Sequence, residues 1–163
     1  MSLFKTIVVA VDFSGTSGEV VQALGEIAGP ESEIHLVHVV AEPLQQPWTV
    51  EAPGIDVAAL RETWVAQATR RLNALDAPVR GRVSRQVLVG TPADEIARFA
   101  RQNGADLIVM GTHGYGSVRR FLLGSVADRV VREASCPVLL FPHRDLRGPK
   151  VRRDAEAFAL DSR

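Results

Sequence analysis

The feature that most constrains this chain is the order of residue types across residues 106–130, DLIVMGTHGYGSVRRFLLGSVADRV. It opens on Leu107-Ile108-Val109-Met110, a short apolar run bounded by turn residues, which predicts a strand buried on both faces. Gly111, Gly114 and Gly116 then punctuate a loop, and Gly124 follows further on. Ser125 and Asp128 stand at N-cap and N3 spacing and predict the start of a helix. Buried strand, glycine loop and helix N-terminus, in that order, suit an anion. Glycine lets backbone N–H groups approach a ligand closely, and the first helical turn adds unpaired N–H groups and the positive end of a dipole. A phosphate is the expected occupant, although a Ser-x-x-Asp cap also begins helices that bind nothing.

The rest of the chain repeats the alternation. Thr6-Ile7-Val8-Val9-Ala10-Val11 is a β-branched run expected to be covered on both faces, and it ends at Asp12. Val20, Val21, Leu24, Ile27 and Ala28 mark one face of a helix that Gly29-Pro30 stops. Residues 34–40 predict a second buried strand. Residues 41–54, AEPLQQPWTVEAPG, carry prolines and little periodicity, and a loop of that length in a compact domain is usually functional or disordered. Asp56 is expected to cap a helix with Val57, Leu60, Trp64, Ala68, Leu72 and Leu75 along one face. Residues 82–89 predict a third strand, and Thr91-Pro92 a helix with proline at its favoured first position. Ile96, Phe99 and Ala100 form that helix's buried face, and Asn103-Gly104 its stop. Val138-Leu139-Leu140-Phe141, boxed between prolines, reads as a last strand at a sheet edge.

Strands alternating with helices argue for an α/β fold with a mainly parallel sheet. The spacing Gly111, two residues, Gly114, nine residues, Gly124-Ser125, flanked by VMGTHG and LLGSVADRV, resembles the nucleotide-binding signature of the universal stress protein family. The resemblance covers residues 4–142. It implies a doubly wound sheet of five strands in the order 3-2-1-4-5 with helices on both faces. Strands 1 and 4 then lie side by side at a topological switch point, where ligands bind beyond the carboxyl ends of strands.

The resemblance also implies a set of nucleotide-binding residues. Ala10 and Val11 lead into Asp12, whose match lies against adenine and ribose; the other reading of Asp12 is a turn or cap carboxylate. Val40 matches a position whose backbone lines the adenine pocket, and Met110 and Gly111 match positions beside the ribose. Gly114, Gly124, Ser125 and Val126 match the phosphate-facing loop and helix start. His113 is placed to hydrogen-bond a phosphate or to cap the turn. Arg119 and Arg120 are the nearest cations for a triphosphate, with at least one expected to be a solvated surface residue. ATP, carried with Mg²⁺ near Ser125, is the implied ligand. The family's habit of pairing its last strand across a two-fold axis implies a homodimer through Val138, Leu139, Leu140 and Phe141.

Several classes are set aside by what the sequence lacks. A chain of 163 residues, 46% of them hydrophobic, supports one domain with a full core. A formal net charge of zero and a pI near 6.9 give no global field for nucleic acid or membrane. The lone Cys136 excludes an intrachain disulfide and a cysteine zinc cluster, and reads as inert packing. MSLFKTIVVAVD is too short an apolar run for a signal segment, and no stretch approaches the ~20 apolar residues of a membrane span, so a cytoplasmic protein is expected. Lys5 and Lys150 stand at no glycine loop, which rules out a Walker A site. Gly15-x-x-Gly18 lacks the dinucleotide pattern. His35 and His38, three apart on a strand, point to opposite faces and cannot share an ion.

Residues 1–142 are therefore expected to form one nucleotide-binding domain, and 143–163 a tail. From 144 to 153, Arg144, Arg147, Lys150, Arg152 and Arg153 against Asp145 give a basic stretch, and the tail is expected to be a frayed terminus or a partner-docking segment. The expected function is an ATP-binding stress-response regulator or sensor with little or no hydrolysis, because no residue is evident to orient an attacking water. The alternatives are a family member that binds AMP, cyclic AMP or no nucleotide, and a flavin- or nucleotide-dependent enzyme on the same fold.

Overall fold

The computed structural model of the chain describes residues 3–42, 56–112 and 123–142. In chain order the elements are β1 (Thr6–Ala10), α1 (Gly15–Ile27), β2 (Glu33–Val40), α2 (Val57–Asn73), β3 (Arg82–Val89), α3 (Pro92–Gln102), β4 (Leu107–Gly111), α4 (Ser125–Glu133) and β5 (Val138–Phe141). The strands form one parallel sheet in the order β3-β2-β1-β4-β5. This is the doubly wound order implied by the resemblance. β1 and β4 are neighbours, with Ala10 opposite Met110 at their carboxyl ends.

Strand alternation sorts the apolar runs onto two faces. Ile7, Val9, Ile34, Leu36, Leu107 and Val109 pack against Val20, Val21 and Leu24 of α1 and Leu72 of α2. Val8, Val37, Ile108 and Met110 pack against Ala93, Ile96 and Phe99 of α3 and Ala127 and Val130 of α4. Ile7, Val8 and Val9 are fully buried, which is why β1 is apolar without interruption. Each such side chain contributes about 1.5–3 kcal/mol of transfer free energy relative to exposure.

The punctuation works largely as expected. Pro92 opens α3, and Gly104 after its end takes φ +61°, a conformation in which glycine is favoured. Asp56 caps α2, its Oδ1 accepting the Ala59 N–H at 3.0 Å. Two details of α2 differ from expectation. Only Ala68 and Leu72 are buried within it, and Leu75 lies beyond its end at Asn73. Beyond that end, Arg85 of β3 donates to the Leu72 and Leu75 carbonyls at 3.2 and 2.8 Å, which gives these C-terminal carbonyls partners outside the helix.

The two histidines of β2 do face opposite ways. His35 sits edge-on to Phe99 of α3, whereas His38 packs against Phe13 after β1. His35 is 6% exposed, and its Nδ1 lies 2.7 Å from the Ser84 hydroxyl, its register partner on β3. Cys136 packs beside the α3–α4 cluster, where burial and the nearby Asp106 push its thiol pKa up. β5 is an edge strand: Val138 and Leu140 face the α3–α4 cluster, while Leu139 is 39% exposed. The tail 143–163 and most of the 41–54 stretch lie outside the described residues.

Candidate functional site

The carboxyl ends of β1 and β4 open onto a cavity of about 360 Å³. Its walls are apolar where Val39, Ile96 and Met110 meet, and its polar groups come from Asp12, His38, Thr112 and Ser125. A neighbouring cavity of about 330 Å³ opens on the α2 side, bounded by Phe13, Trp64 and Arg71 among others. Asp12, His38 and Val39 line both, so they form the partition.

Asp12 is anchored by its own turn. Its Oδ1 accepts from the Ser14 N–H at 2.9 Å, the Ser14 hydroxyl at 2.6 Å and the Ser17 hydroxyl at 2.5 Å. The Asp12 N–H returns a bond to the Ser17 hydroxyl at 3.0 Å. Ser17 is buried in the first turn of α1. All three bonds that Ser14 and Ser17 donate to the carboxylate go to Oδ1, and Asp12 also lines both cavities, so the turn-anchoring reading of Asp12 and the ligand-facing one are compatible. Sequence reasoning missed Ser17, because a serine in a helix's first turn carries no signal for the residue it will hold.

The far wall corrects one expectation. Gly124, not Ser125, is the N-cap of α4, with extended φ −60° and ψ 151°. Its carbonyl accepts the Asp128 N–H at 2.9 Å, which makes Ser125 the first helical residue. Gly124 has no side chain with which to cap this end, and Asp128 pairs with Arg132 one turn on, at 3.1 Å. The reason is local. The Gly124 N–H donates to the Thr112 carbonyl at 2.8 Å, and Thr112 in turn donates its N–H to Phe141 at 2.8 Å. These bonds fix Gly124 beside the end of β4, one residue before the expected cap. The Gly124 N–H is thus occupied, and the Ser125, Val126 and Ala127 N–H groups of the first turn are those without intrahelical partners. The Ser125 side chain is exposed and unused as a cap.

Of the remaining expected residues, Ala10, Val11, Met110, Gly111 and Val126 line the larger cavity. Val40 lines the smaller one; its carbonyl accepts the Gly90 N–H at 3.0 Å, and Val39 occupies the wall of the larger cavity. Pro92 and Ile96 join that wall from α3, where the sequence showed only a helix start and a buried face. His113, Gly114, Arg119 and Arg120 lie outside the described residues. Among the described residues no arginine or lysine lines the larger cavity. Nor does any described group of three His, Cys, Asp or Glu stand ready to hold a metal ion.

The universal stress protein family profile matches residues 3–142. The chain belongs to that family. A universal stress protein of Methanocaldococcus jannaschii is 33% identical over 146 residues, spanning 85% of this chain and 82% of the relative. A universal stress protein solved in complex with cyclic AMP is 27% identical, with a TM-score of 0.55 over 86% of this chain and 98% of that one. The Archaeoglobus fulgidus family member solved in complex with dAMP is 25% identical, with a TM-score of 0.51 over 85% and 98%. Among the described residues of this family member, no helix is long and apolar enough to cross a membrane.

Proposed function

We propose that this universal stress protein binds an adenine nucleotide in the cavity between β1 and β4 and uses it as a signal, with ATP as the physiological ligand. The observation that carries the reading is the cavity's division of labour. Val39, Ile96 and Met110 offer apolar surface for a base, Asp12 offers a carboxylate for N–H or O–H donors, and the N-terminus of α4 offers phosphate N–H groups that have no intrahelical partners. The two ligand-bound relatives support the base as the shared element, because their ligands have adenine in common and differ at sugar and phosphate. Mg²⁺ would ride on the phosphates, with the exposed Ser125 hydroxyl as the available protein oxygen; bound there, it would neutralise phosphate charge. The relative that holds cyclic AMP favours a second reading, in which the occupant is a monophosphate.

Residues 1–142 form the nucleotide-binding domain in this proposal, and 143–163 a basic tail. A second copy pairs along β5, which leaves an edge otherwise open to unwanted partners. A cytoplasmic regulator or sensor is the role these features fit. The test is to denature the purified protein, identify any released nucleotide by mass, and titrate the emptied protein with ATP, AMP and cyclic AMP, each with and without Mg²⁺. ATP is expected in the released fraction and as the tightest binder. Release of a monophosphate alone would replace the lead with the second reading. No release and no binding below millimolar concentration would overturn both.

A further inference from the structure

The partition between the two cavities is held by a residue that the nucleotide reading leaves without a role. His38 Nδ1 lies 2.7 Å from the Val11 carbonyl. The carbonyl can only accept, so Nδ1 carries the proton and the neutral ring has a bare Nε2. The ring centroid is 4.4 Å from that of Phe13, and the Arg71 guanidinium of α2 lies over the same Phe13 ring at 4.2 Å. Phe13 has φ +62°, a conformation costly for a residue with a side chain and retained only where its surroundings enforce it. His38 therefore grips both ends of Val11-Asp12-Phe13, the turn that aims Asp12.

We propose that His38 is the positioning residue of the β1–β4 site and its proton switch, the nucleotide being held while His38 is neutral and let go as Nε2 takes a proton. The inference rests on the nucleotide reading above. Burial is the largest effect and holds the pKa below the ordinary value; the bond to the Val11 carbonyl favours an imidazolium, and of the charged groups facing the ring Arg71 from α2 opposes it while Asp12 from its turn favours it. A ligand in the larger cavity covers the partition and removes more water from His38. It also engages the Asp12 carboxylate that would balance the new charge. Both effects disfavour the proton, so binding and protonation compete, and by linkage affinity falls as pH drops through the His38 midpoint. The attraction of bound phosphate for an imidazolium works in the opposite sense, but the phosphate end is expected across the cavity at α4.

The experiment uses the full chain labelled with ¹⁵N and cyclic AMP as the probe, because a phosphodiester does not titrate near neutrality. Imidazole spectra from about pH 8 to about pH 4.5 should show an Nδ1–H tautomer that titrates below the usual ~6.5. The Asp12, Phe13 and Ser14 amides should shift with the same midpoint. Cyclic AMP affinity should fall about tenfold per pH unit below it, the slope for one competing proton. His38→Asn keeps an N–H donor near the Nδ1 position but cannot titrate, so its affinity should be flat with pH. Turn amides indifferent to His38 would overturn the inference whatever binds. So would wild-type affinity that is flat or rises on acidification, or a slope that survives in His38→Asn. If the amides follow His38 but no nucleotide binds at any pH, the turn coupling stands and the nucleotide reading fails.

Discussion

Ser17→Ala removes one hydroxyl and should unsettle the whole β1–α1 turn. That hydroxyl donates to Asp12 Oδ1 at 2.5 Å and accepts the Asp12 N–H at 3.0 Å, and Ser17 is 4% exposed. A hydrogen bond to a charged acceptor is worth about 1.5–3 kcal/mol, and a buried N–H left without a partner costs about 1–3 kcal/mol. Asp12 is only half-buried, so water recovers part of the loss. A net destabilisation of about 2–4 kcal/mol is expected. Ser14→Ala is the control: it loses the 2.6 Å hydroxyl contact but keeps its backbone N–H on the same oxygen at 2.9 Å, and should cost about 1 kcal/mol. Urea unfolding followed by circular dichroism measures both. With a slope of about 1–3 kcal/mol per molar, the Ser17→Ala midpoint should drop by roughly 1–2 M, and Tm by about 2–4 °C for each kcal/mol lost. A Ser17→Ala protein within about 0.5 kcal/mol of wild type, or one more stable than Ser14→Ala, would refute the assignment of Ser17 as the anchor of Asp12.

Three further outcomes follow from the geometry. Gly124→Val places a branched side chain where the phosphate must approach α4, and should lower ATP affinity at least tenfold, about 1.4 kcal/mol, with a native circular dichroism spectrum; unchanged calorimetric affinity in a folded variant would exclude the phosphate assignment. Leu139→Arg puts a charge on the exposed face of β5 without disturbing the α3–α4 cluster, and should convert a dimer to a monomer in sedimentation; a wild-type protein that is monomeric at micromolar concentration would remove the β5 dimer altogether. Multiple-turnover phosphate release from Mg-ATP should stay well under ~1 s⁻¹, the low end for enzymes, because backbone N–H groups favour bound phosphate without favouring its transition state. Faster turnover lost in Ser125→Ala would require an enzyme reading.

Much of the architecture was legible because buried parallel strands leave continuous apolar runs, and Ile7-Val8-Val9 and Leu107-Ile108-Val109 have no other economical reading. Stops written in glycine and proline were equally plain, since their conformational preferences are local. The strand order came from the family resemblance, as the periodicity of one strand says nothing about its neighbour. Boundaries set by distant groups were hidden. Leu75 fits the helical stripe of α2, yet the helix ends at Asn73 and the Leu75 carbonyl is bonded by Arg85, ten residues away. Ser125 has cap chemistry, but the bond from Gly124 to Thr112 moves the helix start by one residue. The lining of the candidate cavity was legible at Gly111, Gly124 and Asp12, and the parts of Ser17, Pro92 and His38 were not, because they depend on which segments the sheet brings together.

The bond between His35 and Ser84 bears on how β3 finds its place. A parallel edge strand has no tight turn to set its alignment, and a slip of one residue would send every side chain to the opposite face. β3 is ambiguous in this respect, because Val83, Leu88 and Val89 are half-buried on either side and the misaligned strand would still cover apolar surface. What the slipped arrangement cannot do is satisfy the His35 imidazole, which would remain enclosed with its partner turned away. The pair therefore acts as a key that penalises the wrong alignment more than it rewards the right one. A His35→Leu chain could fold to the same end point and pack well there, yet lose this discrimination on the way, leaving an edge misaligned long enough to recruit a strand from another copy.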